Sequence, residues 1–180
     1  MTAKEKLGVF LNASKNQPEE ILSFFDELEP VKSQFMISRW KGAELHTNHP
    51  LNGFLEASNW YGKEFVNEDQ VHPLLFQDSQ DNIFKVKPYS LVMKSGIRLP
   101  ILKHKALNST VRFLTSLLKT EASQARLRMM EYRQKISATM IYDSLPIHDT
   151  FRKVDDDTVL GLMDSKDIPI PFFFVLEREH

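Results

Sequence analysis

Residues 127–177 read LRMMEYRQKISATMIYDSLPIHDTFRKVDDDTVLGLMDSKDIPIPFFFVLE. Five runs rich in β-branched, aromatic and long apolar residues stand in this stretch, separated by short polar breaks: Leu127–Arg133, Ile136–Tyr142, Thr150–Val154, Thr158–Met163 and Pro171–Glu177. Asp155-Asp156-Asp157, between the third and fourth, has the composition of a tight turn. Parallel neighbours need a crossover of about a dozen residues, so breaks this short join antiparallel strands. The spacing therefore predicts a five-strand meander.

Working outward, further strand signals lie at 33–42 (Phe35, Ile37, Trp40), at Trp60–Phe65, at Leu74–Phe76 after His72-Pro73, and across 83–94, interrupted by Pro88. That is enough sheet to curl on itself, and closing into a barrel removes exposed edges. An open sheet covered by helices is the other arrangement the pattern allows. The fold class is mainly β with a helical minority (α+β).

Helix signals are fewer. Residues 1–15 read only as a lead-in. Pro18-Glu19-Glu20 suits a helix start, because proline loses little at the first position and the acids face the positive end. Ile21, Leu22, Phe25 and Leu28 follow at helical spacing, and Pro30 closes the element. Leu51–Trp60 leans towards a short helix. Leu107, Val111, Leu114 and Leu118 form one stripe, which predicts a helix over 107–118 packed as a lid across a barrel mouth or a sheet face.

The 180 residues fit one domain, 1–180, and 13 Phe supply large apolar surfaces for a core or for a pocket. A net charge of −1 does not suit a protein that neutralises many phosphates. The basic group Arg98, Lys103, His104 and Lys105 has no interleaved aromatics, so no nucleic-acid partner is expected. Without Cys there is no disulfide, no thiolate nucleophile and no cysteine-ligated metal. No apolar run approaches the length of a membrane span or a signal-peptide core, so the expected location is cytoplasmic.

Ser38-Arg39-Trp40-Lys41-Gly42, Glu44-Leu45, His49-Pro50-Leu51 and Trp60-Tyr61-Gly62-Lys63 resemble the GXWXG domain, over about residues 33–66. Arg126-Leu127-Arg128, Glu131-Tyr132-Arg133, Ala138–Asp143, Leu145-Pro146-Ile147, Asp155-Asp156-Asp157 and Pro171–Phe174 resemble its usual C-terminal companion, a domain of unknown function (DUF4334), over about 120–178. Ser38 stands where the motif's first Gly is expected, which puts in doubt any role needing close backbone approach there. The resemblance implies a bacterial-type soluble protein and supplies no activity. A looser similarity is to lipocalins, where a Gly-x-Trp on the first strand covers one barrel end beneath a basic residue of the last. Trp40 and Arg178 would repeat that through a cation–π contact, making the barrel lipocalin-like.

Motifs for common chemistry are absent. His46 and His49 flank a loop without an HExxH pattern, and His72 stands apart, so no metal is expected. Asp155–Asp157 lacks the alternation, central Gly and distal Glu of a calcium loop. Lys94-Ser95-Gly96 has no nucleophile context, and no Gly-rich phosphate loop occurs, so no cofactor is expected. On a strand, Arg128, Met130 and Tyr132 share a face opposite Glu131 and Arg133. If that face points inward, a buried cation would need a carboxylate or an anionic guest; if outward, the charges form a surface ladder.

The reading is thus a binding protein for a small hydrophobic or amphipathic, even anionic, molecule. Its expected lining is Phe35, Trp40, Arg128, Met130, Tyr132, Tyr142, Phe172 and Phe174. The alternatives are a cofactor-independent enzyme using Tyr61, Tyr142, Asp143 and His148 as acid/base groups, and an interaction module. The sequence sets no oligomeric state. A Phe-rich face filled solid by its own rings would leave no room for a guest.

Overall fold

Thr2 starts the first helix, α1 (Ala3–Asn12): its side chain accepts from the Glu5 amide while Glu5 accepts from the Thr2 amide. This helix occupies the segment read as a lead-in; its signal was the pair Thr2 and Glu5. Pro18 opens α2 (Pro18–Glu27) as expected, and Ile21, Phe24 and Phe25 form its buried face. A two-residue strand, β1 (Glu29–Pro30), leads to a helical turn, α3 (Ser33–Met36). The strand expected over 33–42 thus begins only at Ser38, as β2 (Ser38–Glu44). The α3 turn points the Met36 carbonyl at the Trp40 indole N–H, 2.8 Å away.

The short helix expected in 51–60 is α4 (Phe54–Ala57), followed by β3 (Trp60–Phe65), β4 (Val71–Gln77) and β5 (Ile83–Lys85). The predicted meander is present in full: β6 (Ala125–Tyr132), β7 (Lys135–Tyr142), β8 (Ile147–Lys153), β9 (Thr158–Ser165) and β10 (Ile168–Arg178). This computed structural model describes residues 1–88 and 117–180. The helix expected over 107–118 lies outside the described residues, save Leu117 and Leu118 in a turn. So do Lys94-Ser95-Gly96, Arg98, Lys103, His104 and Lys105. No helix of the described residues is long and apolar enough to cross a membrane.

The sheet closes. Its order β8–β7–β6–β4–β3–β2–β10–β9, with β9 returning to β8, makes an eight-strand antiparallel barrel, while β1 pairs β8 and β5 pairs β4. Strand parity then sorts side chains between two clusters. Inside lie Trp40, Phe65, Leu127, Met140, Phe151, Phe172, Phe174 and Leu176. Outside, Leu160, Leu162, Phe173 and Val175 of β9 and β10 carry α1 and α2 through Leu7, Phe10, Ile21, Phe24 and Phe25. Each fully buried Phe contributes roughly 1.5–3 kcal/mol. Rings fill most of the interior: Phe151 meets both Phe65 and Phe174 edge-on at 5.6 and 6.2 Å.

Trp40 plugs one barrel end. The Arg178 guanidinium lies 4.3 Å above its ring and 4.8 Å above that of Phe35, and it donates to the Phe35 carbonyl at 2.9 Å. The arrangement inferred from the lipocalin comparison is therefore present. Arg178→Met should cost about 1–2 kcal/mol, since a partly desolvated cation–π contact is lost. Urea unfolding followed by tryptophan emission measures it, and an unchanged midpoint would show the cation to be incidental.

Candidate functional site

The opposite barrel end is built where β2 hands over to α4 and where β8 and β10 begin. Along β3 the inward positions include Lys63 and Phe65; along β8 they are Ile147, Asp149 and Phe151. Two charges of opposite sign thus enter an apolar interior from two strands. Lys63 Nζ lies 2.9 Å from Asp149 Oδ2, with both side chains at most 4% exposed. The ammonium also donates to the Pro73 carbonyl at 3.1 Å and sits 4.9 Å from the Phe174 ring centre, with the Trp60 and Tyr142 rings at 5.7 and 5.8 Å. Carbonyl, carboxylate and ring faces thus surround the ammonium.

Asp149 is less well served. Its Oδ1 is buried and has no hydrogen-bond partner among the described residues, and the same holds for Trp60 Nε1. Burial pushes the Asp149 carboxyl up against the opposing pull of Lys63. Burial, reinforced by Asp149, holds the Tyr142 hydroxyl well above its usual range, so Tyr142 stays protonated. Trp60, Lys63, Tyr142 and Asp149 together line a cavity of about 30 Å³, closed by Leu51, Phe54, Leu55, Leu74, Met163, Phe172 and Phe174. That space holds about one or two water molecules.

Glycine makes this packing feasible. A Cβ on Gly42 would strike the Trp60 ring, and one on Gly62 would overlap the Trp40 carbonyl oxygen. Close approach therefore falls at Gly42 and Gly62, and Ser38 merely pairs with Phe65. Glu44, although buried, is a structural acid: it accepts from the Gly53 and Glu56 amides at 2.7 and 3.1 Å and so fixes the loop into α4.

The expected residues divide. Trp40, Tyr142, Phe172 and Phe174 lie inside, and Phe35 is half-buried at the rim, 6.0 Å from Trp40. Arg128, Met130 and Tyr132 do not line the interior, because Ala125 and Leu127 take the inward positions of β6. Arg128 instead pairs with Asp69 at 2.5 Å on the surface, alongside Arg126–Asp143 and Arg133–Asp26. With no β6 cation inside, the basis for an anionic head group is gone.

Nor do the four acid/base candidates converge. Tyr142 faces inward, whereas Asp143 pairs with Arg126, His148 lies 3.3 Å from Asp164, and Tyr61 is only half-buried, next to Glu179. Lys63, Asp149 and Trp60 were not anticipated as site residues. His46 pairs with Glu56 at 3.0 Å, His49 accepts from the Leu51 amide, and His72 sits on β4. Among the described residues, no three His, Asp or Glu come together as a metal site.

No curated protein matches the chain. A solved structure, described as the crystal structure of a protein from Thermomonospora curvata, shares 30% identity over 100% of both chains, with a TM-score of 0.74. Residues 23–81 match the family model described as GXWXG protein, and residues 123–178 match the Domain of unknown function (DUF4334). The first segment supplies β2, β3 and β4 of the ring and the second supplies β6 to β10, so Lys63 and Asp149 meet across the two. The chain belongs to the family that joins a GXWXG segment to DUF4334.

Proposed function

We propose that the barrel binds a small amphipathic molecule, with its head group set against the Lys63–Asp149 pair. One observation carries this reading: Asp149 Oδ1 and Trp60 Nε1 are buried without hydrogen-bond partners among the described residues, and the two side chains line one cavity. An unsatisfied buried polar group costs roughly 1–3 kcal/mol, which a complementary guest would recover. The head must donate to a carboxylate oxygen and accept from an indole N–H. A hydroxyl, an amide or a neutral acid does both. A carboxylate would set a second negative charge beside Asp149. The cavity takes the head alone; an apolar tail would pass Phe54 and Leu55 of the covering segment.

Titration with unbranched 1-alkanols, read by tryptophan emission and native mass spectrometry, tests it. Alkanols are expected to bind saturably, with alkyl carboxylates at least about tenfold weaker, a difference of ~1.4 kcal/mol. Trp60→Phe should abolish the emission change and weaken binding. No saturable binding of any alkanol, with only ordered water bridging Asp149 in a crystal structure, would end the proposal.

A further inference from the structure

Beyond holding a guest, the Asp149 site has the parts for moving a proton. The carboxylate is tethered at one oxygen by Lys63 at 2.9 Å, which leaves Oδ1 without a partner among the described residues. Two residues with donor groups line the same cavity as Asp149: Trp60, whose indole N–H has no partner among the described residues, and Tyr142. The surrounding walls are apolar, from Leu51, Phe54, Met163 and Phe172. An unpartnered carboxylate oxygen among apolar walls, with hydrogen-bond donors on neighbouring side chains, suits general-base catalysis at carbon.

We infer that Asp149 is a general base that abstracts the proton α to the carbonyl of a small apolar ketone or aldehyde, with Trp60 Nε1–H holding the carbonyl oxygen. This rests on the binding reading above and adds chemistry to it. In the step, the α C–H bond breaks and an O–H bond forms at Asp149 Oδ1. The electron pair left on carbon delocalises to give an enolate, whose oxygen accepts from the Trp60 N–H. Return of the proton to the same carbon regenerates the ketone, and return at a conjugated position would shift a double bond. Both outcomes balance without oxidant, reductant or cofactor. Lys63 is a positioning residue: it pins the second carboxylate oxygen.

The experiment uses the full-length protein and 2-heptanone in D₂O. Loss of the α-proton signals is followed by NMR, and binding is followed in parallel by tryptophan emission. Deuterium uptake is expected to saturate with ketone and to exceed the protein-free rate about a hundredfold, within the usual range for a positioned base. Asp149→Asn should remove the excess. Because that variant leaves Lys63 unpaired, Lys63→Met/Asp149→Asn, which leaves no unpaired charge, is assayed beside it and should also be inactive while still folded. Saturable ketone binding with exchange no faster than in the double variant would overturn the inference and leave binding intact. If 2-heptanone neither binds nor exchanges while 1-alkanols bind, the base role falls alone. If neither class binds, both readings fall.

Discussion

Replacing Lys63 by Met is expected to lower the unfolding free energy by about 3–5 kcal/mol, because Asp149 is then left as a buried carboxylate with no cation. Domains of this size are stable by roughly 5–15 kcal/mol, so the loss is a large share of the total. Asp149→Leu should cost a similar amount by stranding the ammonium. The paired variant Lys63→Met/Asp149→Leu should recover most of the deficit, since replacing a whole buried pair with apolar side chains is often neutral or stabilising. Urea unfolding of the four proteins gives the coupling directly. If each single variant lost less than about 1 kcal/mol, the pair would be behaving as a surface contact.

That result would bear on function. If the interior tolerates an apolar pair at these positions, stability alone does not explain the presence of two opposite charges, and their recognition role becomes the better account. The pair also spans the two family segments, Lys63 from residues 23–81 and Asp149 from 123–178. Neither segment carries eight ring strands, so each leaves open edges and an uncompensated charge when separated.

The sequence made the meander legible because its signals are local. Short polar breaks enforce antiparallel neighbours, and β6 to β10 follow within a few residues of the expected limits. Arg178 over Trp40 was legible through the lipocalin similarity, which pairs a Trp of the first strand with a basic residue of the last. The interior site was harder to see for a reason of parity. The expected run began at Thr150 and left Asp149 in the break before it, whereas β8 begins at Ile147 and carries Asp149 inward with Phe151. On β3, register shifts on both sides of Gly62 interrupt simple alternation, so Lys63 could not be assigned a face from its neighbours. Conversely, Arg128, Met130 and Tyr132 do share a face, and only the pairing of β6 against β7 shows which side it is. The small residues Ala125 and Ala138 mark the inner side, and Arg126 and Arg128 stand out in solvent.

Among the described glycines, Gly62→Ala is expected to be the most damaging substitution, costing about 4 kcal/mol or more. Gly62 has φ +153°, which side-chain-bearing residues rarely adopt, and its missing Cβ is where the Trp40 carbonyl oxygen lies. That oxygen belongs to β2 backbone paired with β3 through Trp40 and Lys63, so the clash is not relieved by a rotamer change. Trp40 is itself pinned by the Met36 carbonyl and capped by Arg178, so strain would spread into the plugged end of the barrel. Gly42→Ala provides the contrast. The nearest atoms to its added Cβ all belong to the Trp60 ring, a side chain beside the cavity that can tilt about its own torsions. Overpacking of that kind costs roughly 1–3 kcal/mol. In thermal melts, Gly62→Ala should fall by about 10 °C or fail to fold, and Gly42→Ala by a few degrees. The Gly42 variant should also lose alkanol binding, because the tilt carries Trp60 Nε1 away from the guest. Equal melting points for the two variants would mean that β2 and β3 yield where the geometry says they cannot.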